Sequence, residues 1–278
     1  MFPLLLIIVT FCIQNVDYYE REMYNGIMFN LQHIVYMICS GLLTALLLTL
    51  LGVGVKDPQK KNYILKTAAV ITVVIHYSNL WVDFFASGGS ATLENNQLLP
   101  VYPCNVVMWM LLIAAFMRNK KGLLFQLLGE FCMIGGTVCG IVGIVLNANF
   151  DANPTLADYD ILKGLLSHST MLFGCLYLAV GRFARVRMFN TVSITFGLGS
   201  FVLCGLLVDF LYKAFGMEPP DGMFLRSNPY GDASVIVLGI IVIIVLFVLL
   251  SLWELRLPRE ERWYRRIYLR KKHERNIY

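Results

Sequence analysis

The sequence predicts an all-α fold, a polytopic membrane helix bundle of about seven transmembrane helices. Three observations predict it. Of the 278 residues, 58% are hydrophobic and only 15% are charged. The apolar residues gather into stretches of about 20, the length that crosses a bilayer core as a helix. Short polar breaks separate the stretches and leave no room for a soluble domain. Such a composition excludes an ordinary water-soluble domain. Strand-like alternation is absent from the runs, and in hydrocarbon a helix satisfies its own backbone hydrogen bonds.

The predicted spans are residues 34–53, 64–85, 101–117, 122–146, 161–181, 190–212 and 235–253. Lys56, Lys60 and Lys61 follow the first, and the second is followed by Glu94. Arg118, Lys120 and Lys121 follow the third, whereas Asp151, Asp158 and Asp160 follow the fourth. Arg182, Arg185 and Arg187 come after the fifth, and Glu218, Asp221 and Asp232 after the sixth. Cations retained on the cytoplasmic side make the odd-numbered connections internal. The expectation is a multi-pass protein of the cell membrane, its amino end outside and its carboxyl end cytoplasmic.

Residues 1–32 read as an external amino-terminal segment, 33–254 as the bundle and 255–278 as a basic cytoplasmic tail. The apolar stretch 2–13 is short for a span and lacks the Lys or Arg of a secretory signal, which favours an interfacial or re-entrant segment. Nine bases lie between Arg256 and Arg275, interleaved with Trp263, Tyr264, Ile267, Tyr268 and Leu269. That pattern suits an interfacial helix on anionic headgroups, or a plain stop-transfer anchor. The formal net charge of +5 therefore points to membrane and not to nucleic acid. Five of the seven cysteines (Cys39, Cys132, Cys139, Cys175 and Cys204) fall in apolar helices as small packing residues, and no external loop holds a pair to bridge.

Polar side chains inside spans are costly, so each is a candidate for function. At about 1.5 Å of rise per residue, Cys104 and Asp209 fall roughly 5 Å below the outer boundary, His168 about 10 Å and His76 about 13 Å. His33 and Asp83 sit at the rim. The inner half holds Glu130, expected to pair with a neighbour or a lipid headgroup. Thr72, His76, Asn79 and Asp83 share one helical face, either a hydrogen-bonded seam between helices or part of a site.

Cys104 follows Pro100 and Pro103 at the mouth of the third span. A Pro-broken helix start offers free N–H groups and a positive dipole end, which favour thiolate, although a lone cysteine also packs. The imidazole of His168 is suited to take the thiol proton and return it to a leaving group.

These segments resemble a known family. Phe29-Asn30-Leu31-Gln32-His33, the Leu99-Pro100-Val101-Tyr102-Pro103-Cys104 run, His168 in the fifth span and the Met223-Phe224-Leu225-Arg226-Ser227-Asn228-Pro229 segment resemble the YwaF-type bacterial integral membrane proteins. Their animal relative is transmembrane protein 164, regarded as an acyltransferase that remodels ether phospholipids through a cysteine intermediate assisted by histidine. The resemblance covers nearly all of the chain after the amino-terminal segment, and implies Cys104 as nucleophile and His168 as acid–base partner. It departs at Asp221-Gly222, where the family pattern leads one to expect Asn-Tyr.

The expected function is phospholipid acyl transfer at the extracytoplasmic leaflet, with no dissociable cofactor. His76, Asn79, His33 and Asp209 are the expected substrate-binding or orienting residues. One alternative is a zinc-dependent or serine-free lipid hydrolase in which His33, His76 and His168 hold the metal, with Asp209 or Asp83 nearby. Another is a membrane transporter or lipid-binding assembly partner.

Overall fold

A computed structural model describes residues 30–86, 99–146, 155–226, 235–258 and 262–263. Nine α-helices and no strand occur among them. They are α1 (Leu31–Leu47), α2 (Pro58–His76), α3 (Asn79–Ala86), α4 (Pro103–Phe116), α5 (Leu123–Phe131), α6 (Thr137–Val145), α7 (Tyr159–Val180), α8 (Asn190–Ala214) and α9 (Val235–Glu254). A π-helical turn, Leu48–Val53, extends α1, and another, Cys132–Gly136, joins α5 to α6. The expected segments 1–29 and 264–278, with Glu94, Asp151, Asp232 and the side chain of Asp83, lie outside the described residues.

Six helical runs are long and apolar enough to cross a membrane, and α4 is a shorter apolar helix of 14 residues. The chain is thus a multi-pass α-helical membrane protein. Side-chain caps fix several starts: Asn30 accepts from the His33 N–H at 2.9 Å, Asp57 from Gln59 at 2.9 Å and Asp158 from Asp160 at 2.9 Å. Each of these satisfies a backbone donor that the first turn leaves open.

The core forms where α2, α4 and α7 meet, around Leu65, Val107, Leu111, Met171, Cys175 and Leu178. Gly136, Gly140 and Gly143 let α6 close directly on α7. Their missing side chains leave room for Cys175, Leu172 and His168 in turn, the close approach that small residues permit between membrane helices. Between α1 and α2, with α7 as floor, lies a largely apolar cleft of ≈ 550 Å³. Its polar wall is a hydroxyl cluster in which Tyr36 and Ser40 each meet Ser169 at 2.8 Å.

At the bundle end opposite Cys104, the buried carboxylate of Glu130 is paired. It accepts from Arg187 Nε at 2.7 Å and from Asn190 Nδ2 at 2.8 Å, and Arg187 also reaches Gln126 at 3.0 Å. This network locks α5 to the start of α8, the pairing with a neighbour expected of that charge.

Candidate functional site

The second span is not one helix. α2 ends at His76, and the chain bends through Tyr77 (φ −90°, ψ 9°) before α3 begins at Asn79. The bend is pinned to the first turn of α7. Ser78 Oγ lies 2.5 Å from the Tyr159 hydroxyl, which donates to it, and Asn79 Nδ2 donates to Asp160 Oδ1 at 2.6 Å. The predicted polar face is therefore divided. Thr72 is buried and donates back to the Ala68 carbonyl at 2.9 Å, His76 closes α2, and Asn79 opens α3.

Cys104 is the second residue of a short helix. Fourteen residues at about 1.5 Å each span roughly 21 Å, well under the ~30 Å of a hydrocarbon core. The chain before α4 is extended, and non-helical backbone at membrane depth must be covered by protein. Residues 222–226 supply part of the cover. The Met223 N–H donates to the Val101 carbonyl at 2.7 Å, and the rings of Tyr102 and Phe224 lie 5.5 Å apart. Pro103 has no N–H to offer. The half-buried Cys104 thiol lies 3.3 Å from Asn105 Oδ1.

His168 projects from α7 toward α6. Its Nδ1 lies 2.7 Å from the Gly164 carbonyl, which can only accept, so the proton sits on Nδ1 and Nε2 keeps a lone pair. The Nε2 edge packs against Gly143, occupying the space a side chain there would need. α4, which bears Cys104, packs on α6, which bears Cys139 and Gly143. α2, which ends at His76, packs on both α4 and α7. Cys104, His76 and His168 thus stand on three mutually packed helices, α4, α2 and α7.

Two predicted residues are engaged in contacts between segments of the fold. His33 is fully buried and donates from Nε2 to the Ile144 carbonyl at 2.7 Å, clamping α1 to the end of α6. Asp209 is ion-paired with Lys213 at 2.7 Å and with Arg226, tying residues 222–226 to α8. Asn79 serves the bend through Asp160. The three imidazoles do not form the zinc site considered from the sequence. Among the described residues no three His, Cys, Asp or Glu are grouped to hold a metal ion, and His33 Nε2 is spent on a carbonyl.

Asp221-Gly222 has its own local logic. Asp221 Oδ1 accepts from the Arg226 N–H at 2.8 Å, and Gly222 packs so closely on α8 that a Cβ would lie 3.3 Å from Gly205 Cα. Met223 and Phe224 follow in the left-handed region, at φ 58° and 54°.

The sequence reading missed three contributors: Tyr77, Trp109 and Gly143. Trp109 Nε1 donates to the Tyr77 hydroxyl at 2.8 Å, with the rings 5.6 Å apart. The signal for Gly143 was present in the spacing of Gly136, Gly140 and Gly143, which lines one helix face with small residues.

No curated protein and no solved structure matches the chain. Residues 28–255 do match a protein family, a stretch that runs from the cap of α1 to the end of α9. On that match, the chain belongs to the TMEM164 family.

Proposed function

We propose that this protein is a membrane-embedded acyltransferase that moves a fatty acyl group between lipids through a thioester on Cys104, with His168 as acid–base partner. In the first half-reaction the Cys104 sulfur attacks the ester carbonyl carbon of a phospholipid, and its proton passes to His168 Nε2. The C–O bond then breaks, and the lysolipid oxygen leaves with that proton. In the second half, an acceptor alcohol gives its proton to His168 as its oxygen attacks the thioester, and the thiol is restored.

The observation that carries this reading is the state of His168. A backbone carbonyl holds its Nδ1 proton, leaving the basic nitrogen turned toward α6, the helix beside which Cys104 also sits. Access from the bilayer is consistent with it. Tyr102 and Trp109, on either side of Cys104 along the chain, are exposed on the surface of the bundle. With the amino end outside and the carboxyl end cytoplasmic, as the distribution of cations favours, Cys104 belongs to the outer leaflet.

The test uses purified protein in phosphatidylcholine nanodiscs with a p-nitrophenyl fatty ester. Expected is a burst of one nitrophenolate per protein and a hydroxylamine-labile mass increase on Cys104, lost in Cys104→Ala and greatly slowed in His168→Ala. Added lysolipid should collect the acyl group, whereas release only as free fatty acid would make the protein a hydrolase. Full biological activity of Cys104→Ser would instead favour a transporter or lipid-binding partner.

A further inference from the structure

Acylation of a thiol passes through a tetrahedral intermediate whose oxygen carries a full negative charge, and in a low-dielectric site that charge needs a fixed donor. At the start of α4 Pro103 has no N–H and the Asn105 N–H is given to the Tyr102 carbonyl, which leaves the Cys104 N–H as the one backbone donor of the first three residues. The phenol of Tyr77 stands at the α2–α3 bend, facing the helix that bears Cys104. Trp109 belongs to that helix, five residues beyond the thiol, and long helical side chains lean back toward the helix start.

The hydrogen-bond accounting at Tyr77 is specific. An indole N–H only donates, so the Trp109 contact at 2.8 Å uses the Tyr77 oxygen as acceptor. The phenolic hydrogen must then point to a different acceptor, and none is found for it among the described residues. The ring itself is held on two sides. His76 meets it edge-on at 4.8 Å, and Trp109 lies against it at 5.6 Å. A half-buried phenol, oriented by an indole and left with an unused proton, is a preorganised donor. Its bond to Trp109 ties it to the helix that carries the thiol.

We infer that Tyr77 is a further catalytic residue, the hydrogen-bond donor to the oxyanion of the Cys104 adduct, with Trp109 as the positioning residue that aims it. This rests on the proposed role of Cys104. It adds that the bend in the second span exists to present a phenol to the reacting carbonyl.

The experiment measures the single-turnover nitrophenolate burst from a p-nitrophenyl fatty ester in phosphatidylcholine nanodiscs. Tyr77→Phe should slow acylation about 10²- to 10³-fold, the usual effect of removing one oxyanion donor. Its rate of Cys104 alkylation by iodoacetamide and the shape of its pH profile should not change, because the thiol and His168 are untouched. Trp109→Phe should show a smaller loss in the same step. Replacing Tyr77 by a fluorinated tyrosine, a stronger donor with its shape kept, should speed acylation, which also carries the test if Tyr77→Phe does not fold. Native-rate acylation by Tyr77→Phe, or an unchanged rate in the fluorinated protein, overturns the inference alone. No acylation of the native protein overturns the reading of Cys104 and the inference with it.

Discussion

The imidazole of His168 fills the place that a side chain on Gly143 would take, so the absence of a Cβ on α6 is a condition for the position of that ring on α7. Gly143→Ala should push the ring off its Gly164 contact. A misplacement of about 1 Å can cost on the order of 10²-fold in rate. Burst acylation of Gly143→Ala should fall by that order, with iodoacetamide alkylation of Cys104 preserved. An unimpaired burst would show that the ring position is immaterial to the chemistry.

His33 meets α6 at Ile144, next to the Gly143 that His168 packs against, and holds α1 to α6 through the Ile144 carbonyl. His33→Ala should lower stability by about 1–3 kcal/mol, the cost of leaving a buried acceptor unsatisfied. Thermal unfolding in detergent measures this. The folded fraction should still acylate Cys104 at the native rate, and a His33→Ala protein that is stable but inactive would return His33 to the site.

Glu130 is paired across the far end of the bundle with Arg187, Asn190 and Ser193. Glu130→Ala strands these donors, one of them the partly exposed guanidinium of Arg187. A loss of about 2–4 kcal/mol is expected, below the full cost for a wholly buried pair. Glu130→Gln should lose less, because it keeps an acceptor for Asn190. Equal unfolding midpoints for Glu130→Ala and the native protein would contradict the assigned clamp.

Lys120, in the connection between α4 and α5, donates to the carbonyls of Ala114 and Ala115 at 2.6 and 2.7 Å and lies over the Phe125 ring. Burial, and secondarily the charge of Lys66, lowers its pKa from 10.5 to about 8. Between those two values the unfolded chain holds a proton that the folded one has released, so folding is favoured as pH rises through the window. The difference in unfolding midpoint between the native protein and Lys120→Gln should shift in the native protein's favour from about pH 8 to pH 10.5. A difference independent of pH would refute the lowered value.

The spans were legible because burial in lipid demands long apolar runs: the expected 122–146 is the α5–α6 pair ending at Val145, and 190–212 is α8. The bend at Tyr77 was not legible. Neither Pro nor Gly marks it, and the partners that hold it, Tyr159 and Asp160, lie about 80 residues away. The candidate site was legible as a depth, since rise per residue fixes how far a side chain lies from the membrane surface. Depth says nothing of azimuth. His33 and Asp209 share the layer of Cys104 and His168, but packing turns the first toward Ile144 and ties the second to Lys213 and Arg226.

The shortness of α4 bears on how a bilayer would meet this protein. A helix roughly 9 Å shorter than the hydrocarbon core, led in by extended chain, begins below the level where glycerol esters join their fatty tails. On the proposed reading, the ester of a lipid drifting sideways along Tyr102 and Trp109 would dip several ångströms below its usual level to meet the sulfur, without leaving its leaflet.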